Sequence, residues 1–110
     1  MRSEEFAKLY VKDGKILPNE VDTIEGDLNL YSDKISIIEN LPNTIKGDLN
    51  LSYNQITKIE NLPNNIEKGL YLSGNPIYKE IKSFKGEDTK EKTYNYFRNF
   101  RTTTNMENWI

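Results

Sequence analysis

Residues 26–47 read GDLNLYSDKISIIENLPNTIKG, and twenty-one residues further on the chain writes nearly the same line again, GDLNLSYNQITKIENLPNNIEKG. A catalytic side chain needs to occur once, whereas a recurring line of Leu, Ile and Asn points to a stacked building unit. The aliphatic positions align: Leu28, Leu30, Ile35, Ile38, Leu41 and Ile45, then Leu49, Leu51, Ile56, Ile59, Leu62 and Ile66, then Leu70, Leu72 and Ile77. Leu9, Val11, Gly14 and Ile16 fit the same spacing and are followed early by Leu17-Pro18, so the first unit is degenerate and shortened. Asp33, Asn54 and Asn75 occupy one equivalent place.

Leu-x-Leu is a period-2 pattern, which turns both leucines to one side of a short strand. A return to the same phase every unit stacks equivalent strands in parallel, about 4.8 Å apart. The expected strands lie near 9–11, 28–30, 49–51 and 70–72. A unit of this length cannot bury its own apolar side, but stacked neighbours can. An inward amide at the asparagine position can bond the backbone of adjacent turns. Asp33 accepts but cannot donate as an amide does, so local adjustment is expected there. Leu41-Pro42 and Leu62-Pro63 bias the return path toward extended or turn-like structure rather than long α-helix. Gly26, Gly47 and Gly69 precede the strands, where a sharp turn can call for positive φ.

The spacing L-x-L-x-x-N-x-I-x-x-I-x-x-L-P resembles the leucine-rich repeat in its short bacterial form. The resemblance covers roughly residues 9–77. It is strongest at Leu49–Ile56 and Leu70–Ile77, and weaker where Asp33 and Gly14 stand in place of asparagine. It implies an α/β repeat solenoid, a leucine-rich repeat array with parallel strands on its concave face and helical N- and C-terminal caps. The whole chain is then one domain: residues 1–16 form the N-terminal cap and degenerate first repeat, 17–77 the repeats and 78–110 the C-terminal helical cap.

Caps are required because terminal repeats expose apolar edges. At the front, Ser3 reads as an N-cap of a short helical turn, with Phe6 and Leu9 covering the first unit. At the back, Ile77, Ile81 and Phe84 fall at helical spacing, and Asp88 or Thr89 caps a second helix reaching about Arg101, with Tyr94, Phe97 and Phe100 along one side. Tyr94, Tyr96, Phe97, Phe100 and Trp109, interleaved with Arg98 and Arg101, are also of the kind that stacks single-stranded bases. A cap packing on the last repeat is the simpler role for them.

Composition excludes several function classes. With no Cys and no His, the chain has no disulfide, no thiolate or imidazole metal site, and no Ser-His-Asp or Cys-His nucleophile. GxxxxGK[ST] and GxGxxG are absent, and GEDTKE at 86–91 lacks the pattern of a calcium loop. No metal and no cofactor are expected. The overall charge is −2, but residues 17–75 carry four Lys against nine acids, a net of −5. That acidic block disfavours nucleic acid as a partner. MRSEEFAKLY has no apolar stretch like a signal peptide, and no run approaches a membrane span. A cytoplasmic chain is expected.

The outward residues beside the strand leucines form the candidate site. They are Lys8, Tyr10 and Lys12; Asp27, Asn29 and Tyr31; Asp48, Asn50 and Ser52; Gly69, Tyr71 and Ser73. Tyrosine gives large contact area at small entropic cost, so Tyr10, Tyr31 and Tyr71 are the expected anchors. Asp27, Asn29, Asp48 and Asn50 would supply polar complementarity. Leucine-rich repeat proteins commonly bind partners by this surface, so the resemblance implies a non-enzymatic protein-binding module. Small standalone repeat proteins of this wording are also similar to ones encoded by bacteriophages and mobile elements. That alternative implies an inhibitor blocking a host defence protein, such as a nucleic-acid-targeting complex. An alternative of another class is a metal-dependent enzyme using the Asp27/Asp48 ledge; a repeated residue at a repeated position is more simply a solvated face. Four units stand near the lower size limit of such a fold, so a homodimer or docking on a target would add stability.

Overall fold

Helix α1 (Ser3–Tyr10) begins the fold. Glu4 and Glu5 in its first turn and Lys8 in its last complement the helix dipole. Phe6 is fully buried, and its ring lies 5.4 Å from that of Tyr10 one turn on. The computed structural model of the chain describes residues 1–78. The expected C-terminal helical cap and its aromatic residues lie outside the described residues.

Residues 9–11 do not form a rung of the parallel stack. Leu9 and Tyr10 end α1, and Leu9 is 52% exposed rather than covering the first unit. Strands β1 (Val11–Lys12) and β2 (Lys15–Ile16) instead pair antiparallel around Asp13-Gly14. Those two residues have φ of 51° and 77°, the left-handed pair that a two-residue hairpin requires. Asp-Gly turn chemistry overrides the faint Leu-x-Val period. Gly14 also packs tightly, since a Cβ there would fall 2.5 Å from the carbonyl oxygen of Lys34.

The rest of the described chain forms two three-stranded parallel sheets. One contains β3 (Thr23–Ile24), β5 (Thr44–Ile45) and β7 (Asn65–Ile66); the other contains β4 (Leu28–Asn29), β6 (Leu49–Asn50) and β8 (Leu70–Tyr71). Each pairing is in register at a separation of 21 residues, as in Leu28 with Leu49 and Leu49 with Leu70. The return path is extended, as the Leu-Pro pairs predict, but it also hydrogen-bonds into a sheet of its own, which the sequence reading did not foresee.

Between the sheets lies the core. Ile24, Ile45 and Ile66 from one sheet, Leu28, Leu30, Leu49, Leu51, Leu70 and Leu72 from around the other, and Ile35, Ile38, Ile56 and Ile59 from the segments between form one buried cluster. All are essentially buried, each burial contributing about 1.5–3 kcal/mol before entropic costs. The first-strand edge of each sheet is occupied. Glu25 N donates to Met1 O (3.2 Å) beside β3, and Asn29 N donates to Ser3 Oγ (2.8 Å) beside β4. Ser3 is therefore not the expected N-cap; that position is Arg2, which makes no side-chain cap bond.

The turns depart from the glycine expectation. The positive-φ glycines among the described residues are Gly14 and Gly74, not Gly26, Gly47 or Gly69. The recurring left-handed position follows the strand instead and is held by Ser32 (55°), Tyr53 (57°) and Gly74 (77°), with a second at Asn40 and Asn61. Gly47 is needed for space: a Cβ there would meet Asp27 N at 2.6 Å.

The asparagine position behaves as its chemistry predicts. Asn54 is 6% exposed; its Oδ1 accepts from Asp33 N and Ile35 N, both at 3.0 Å, and its Nδ2 donates to Leu30 O and Leu51 O, both at 2.9 Å. Asn75 repeats this, accepting from Ile56 N and donating to Leu51 O and Leu72 O. Leu51 O thus takes two amide donors, while Leu30 O takes one. Asp33 offers no donor when ionised, and burial raises its pKa above the usual 3.8. The folded protein therefore holds the Asp33 proton more tightly than the unfolded chain. That makes stability fall as pH rises from the unfolded value through the raised folded one. Asp33→Asn supplies the missing donor to Leu30 O. It is expected to stabilise by about 1 kcal/mol at pH 7, with the gap narrowing as pH falls through the raised folded pKa and levelling off below about 4. Urea titrations of both proteins at several pH values check this; an advantage that is absent at pH 7 would refute it.

Candidate functional site

The β4–β6–β8 sheet presents three rows of outward residues, one per strand position. In the first row, Asp27 and Asp48 sit side by side. Asp27 Oδ1 accepts from Asp48 N at 2.7 Å, and Asp48 Oδ1 accepts from Gly69 N at 2.7 Å. Each carboxylate thus clamps the backbone of the next strand, which gives the repeated aspartates a structural role. The row ends at Gly69, which has no side chain to continue it.

In the second row are Asn29, Asn50 and Tyr71, paired across the sheet. Asn29 Oδ1 accepts from Tyr31 N (3.1 Å) and Asn50 Oδ1 from Ser52 N (2.9 Å), each closing the turn that follows its strand. Their Nδ2 groups have no hydrogen-bond partner among the described residues. Tyr71 is half-buried.

The third row is Tyr31, Ser52 and Ser73. Ser52 is buried at 5% exposure and accepts a hydrogen bond at Oγ from Ser73 Oγ (3.2 Å). Tyr31 is 51% exposed, and its ring centroid lies 5.3 Å from that of Tyr53, the planes tilted by 59°. Such tilted pairs exploit the opposed charge of ring edge and face. Tyr53 is 58% exposed. Its ring lies over Gly74, where an added Cβ would approach Tyr53 Cδ1 to 2.6 Å.

The structure therefore brings together Asp27, Asn29, Tyr31, Asp48, Asn50 and Tyr71, and separates Tyr10 from them. Tyr10 sits on α1 against Phe6 because the hairpin, not a rung, follows it. Tyr53 was missed. Strand alternation assigns residue 53 to the inner side with Leu49 and Leu51, but the left-handed turn breaks the alternation and swings it outward. The usable signal is a tyrosine at the place where the neighbouring repeats carry Ser32 and Gly74.

An open cleft of about 420 Å³ adjoins the aspartate row, lined by Arg2, Ser3, Glu4, Glu25, Gly26 and Asp27. Among the described residues, no three His, Cys, Asp or Glu side chains gather as metal ligands, and no helix is long and apolar enough to cross a membrane. Comparison of the chain with protein-family models, with curated proteins and with solved structures yields no match to any of the three.

Proposed function

We propose that the chain is a leucine-rich-repeat-type solenoid that works as a non-enzymatic protein-binding module through the outer face of β4, β6 and β8. The repeat reading is supported by the 21-residue register shared by both sheets. The binding reading rests on one observation: Tyr31 and Tyr53 stand more than half exposed, ring against ring, on an otherwise polar face. Contact surfaces draw most of their energy from a few such aromatic anchors. The Nδ2 groups of Asn29 and Asn50, without hydrogen-bond partners among the described residues, and half-buried Tyr71 border the pair and offer directional donors. Blocking of a host defence protein is one use of such a module, and the acidic face is compatible with it.

Affinity capture from a bacterial lysate tests the face. Tyr31→Ser/Tyr53→Ser is the informative variant, because Ser52, Ser73 and Ser32 already occupy those places in other repeats. The expected outcome is a protein retained by the wild type, lost about tenfold or more by the double variant, and kept by a control changed at Ile37, an exposed residue away from the three rows. Retention by the double variant equal to wild type would move the binding surface elsewhere.

A further inference from the structure

We infer that the segment this face takes is basic and extended, laying an arginine or lysine side chain across the Tyr31–Tyr53 pair and a second cation beside the Asp27–Asp48 row. The inference rests on the strand-face reading and adds the chemistry of the occupant. Its first support is charge. The outward positions of the three rungs, 27–32, 48–53 and 69–74, carry two carboxylates and no cation. Two lysines that share the acidic block are paired elsewhere, Lys46 with Glu25 (3.1 Å) and Lys58 with Glu60 (3.4 Å). At the adjoining cleft, Arg2 stands among Glu4, Glu25 and Asp27, so carboxylates outnumber cations there as well.

The second support is how the carboxylates are held. Asp27 and Asp48 each commit Oδ1 to the neighbouring strand's backbone. That leaves the other carboxylate oxygen, Oδ2, without a hydrogen-bond partner among the described residues and its position fixed by the clamp. A fixed carboxylate accepts a cation with little further loss of side-chain entropy.

Third is the aromatic pair. A cation over a tyrosine face is attracted by the ring quadrupole, and the two tilted rings offer one face and one edge in a small area. Tyr53 reaches this place only by adopting φ of 57°, a left-handed conformation that a bulky side chain rarely takes, and only because Gly74 leaves room beneath its ring. The aromatic display is thus a built feature of this repeat rather than an accident of an open surface. Asp27 and Tyr31 are four residues apart on a nearly extended backbone, about 13 Å at the usual strand rise. An extended segment running alongside meets both features with cations about four residues apart.

The test is selection of a displayed random-peptide library, with inserts of about twelve residues, on the full chain, with counter-selection on Tyr31→Ser/Tyr53→Ser. Recovered peptides are expected to be enriched in Arg or Lys pairs at a spacing near four. Each should bind the tyrosine double variant about tenfold more weakly. Each should also bind Asp27→Asn/Asp48→Asn about threefold more weakly at low salt, with the deficit closing as salt rises. Asparagine at 27 and 48 keeps an oxygen acceptor for the next strand, so the fold is retained, and an unchanged unfolding midpoint confirms it. Tyrosine-dependent peptides without basic residues would overturn the inference and leave the strand-face reading standing. Peptides indifferent to both tyrosines would overturn the two together. Failure to enrich any sequence on the wild type over the double variant would overturn the inference.

Discussion

Asn54→Leu should cost the protein about 4 kcal/mol, nearly the whole stability of a small domain. Leucine matches asparagine in shape but carries none of its hydrogen bonds. The substitution strands Asp33 N and Ile35 N, which both donate to Asn54 Oδ1, and removes one amide donor from Leu30 O and Leu51 O. The site is 6% exposed, so water cannot replace these partners at low cost. Each stranded buried group costs about 1–3 kcal/mol, while the added apolar surface returns little in a cavity shaped for polar contacts. Urea unfolding followed by circular dichroism should show the midpoint collapsing toward zero denaturant. Asn54→Asp is the internal comparison: it keeps both acceptor bonds and loses the donors, so it should fall between the two. A leucine variant within about 1 kcal/mol of wild type would mean that the asparagine column does not hold the turns together.

Gly47→Ala and Gly26→Ala should give opposite results although they change the same letter at the same place in the repeat. At Gly47 a Cβ would collide with the Asp27 carboxylate and stand 2.6 Å from Asp27 N and 2.7 Å from Gly26 C. Two of these three are backbone and the third is a carboxylate already clamped to Asp48 N, so relief requires the sheet itself to shift. A loss of about 2–3 kcal/mol follows from overpacking of this kind. At Gly26 nothing lies within 4 Å of the same atom and φ is not left-handed. There alanine should be neutral or raise stability by up to about 0.5–1 kcal/mol through the unfolded chain. Thermal melts of the two variants decide it, and equal destabilisation would show that the packing of strand starts is not what separates them.

The strands and the core were legible because one period governs both. Leu28, Leu49 and Leu70 recur at the same phase, and the structure pairs them in register. The asparagine column was legible because an inward amide on a turn has few other uses. What escaped the sequence is local. The Leu9–Val11 spacing imitates a strand, yet Asp13-Gly14 is a stronger instruction and makes a hairpin. The glycines before the strands suggested turns, whereas the left-handed position falls four residues after each strand start, on Ser32, Tyr53 and Gly74. The second sheet was invisible because a two-residue strand such as Thr44–Ile45 is too short to show alternation. Tyr53 was lost for the same reason: alternation stops where the turn begins.

The occupied first edges carry an implication for how such a chain lengthens. Met1 and Ser3 close both sheets at one side, so no further strand can join there without displacing them. Growth by copying is still open in the interior. Duplicating residues 47–67 would insert one more complete turn of the stack, with its own pair of strands, its own asparagine bridge and its own carboxylate clamp. The new turn would meet an identical copy on one side and, on the other, the same neighbour that residues 47–67 already pack against, and would leave the sealed side untouched, so the length of the outer face can change while the sealed side stays the same.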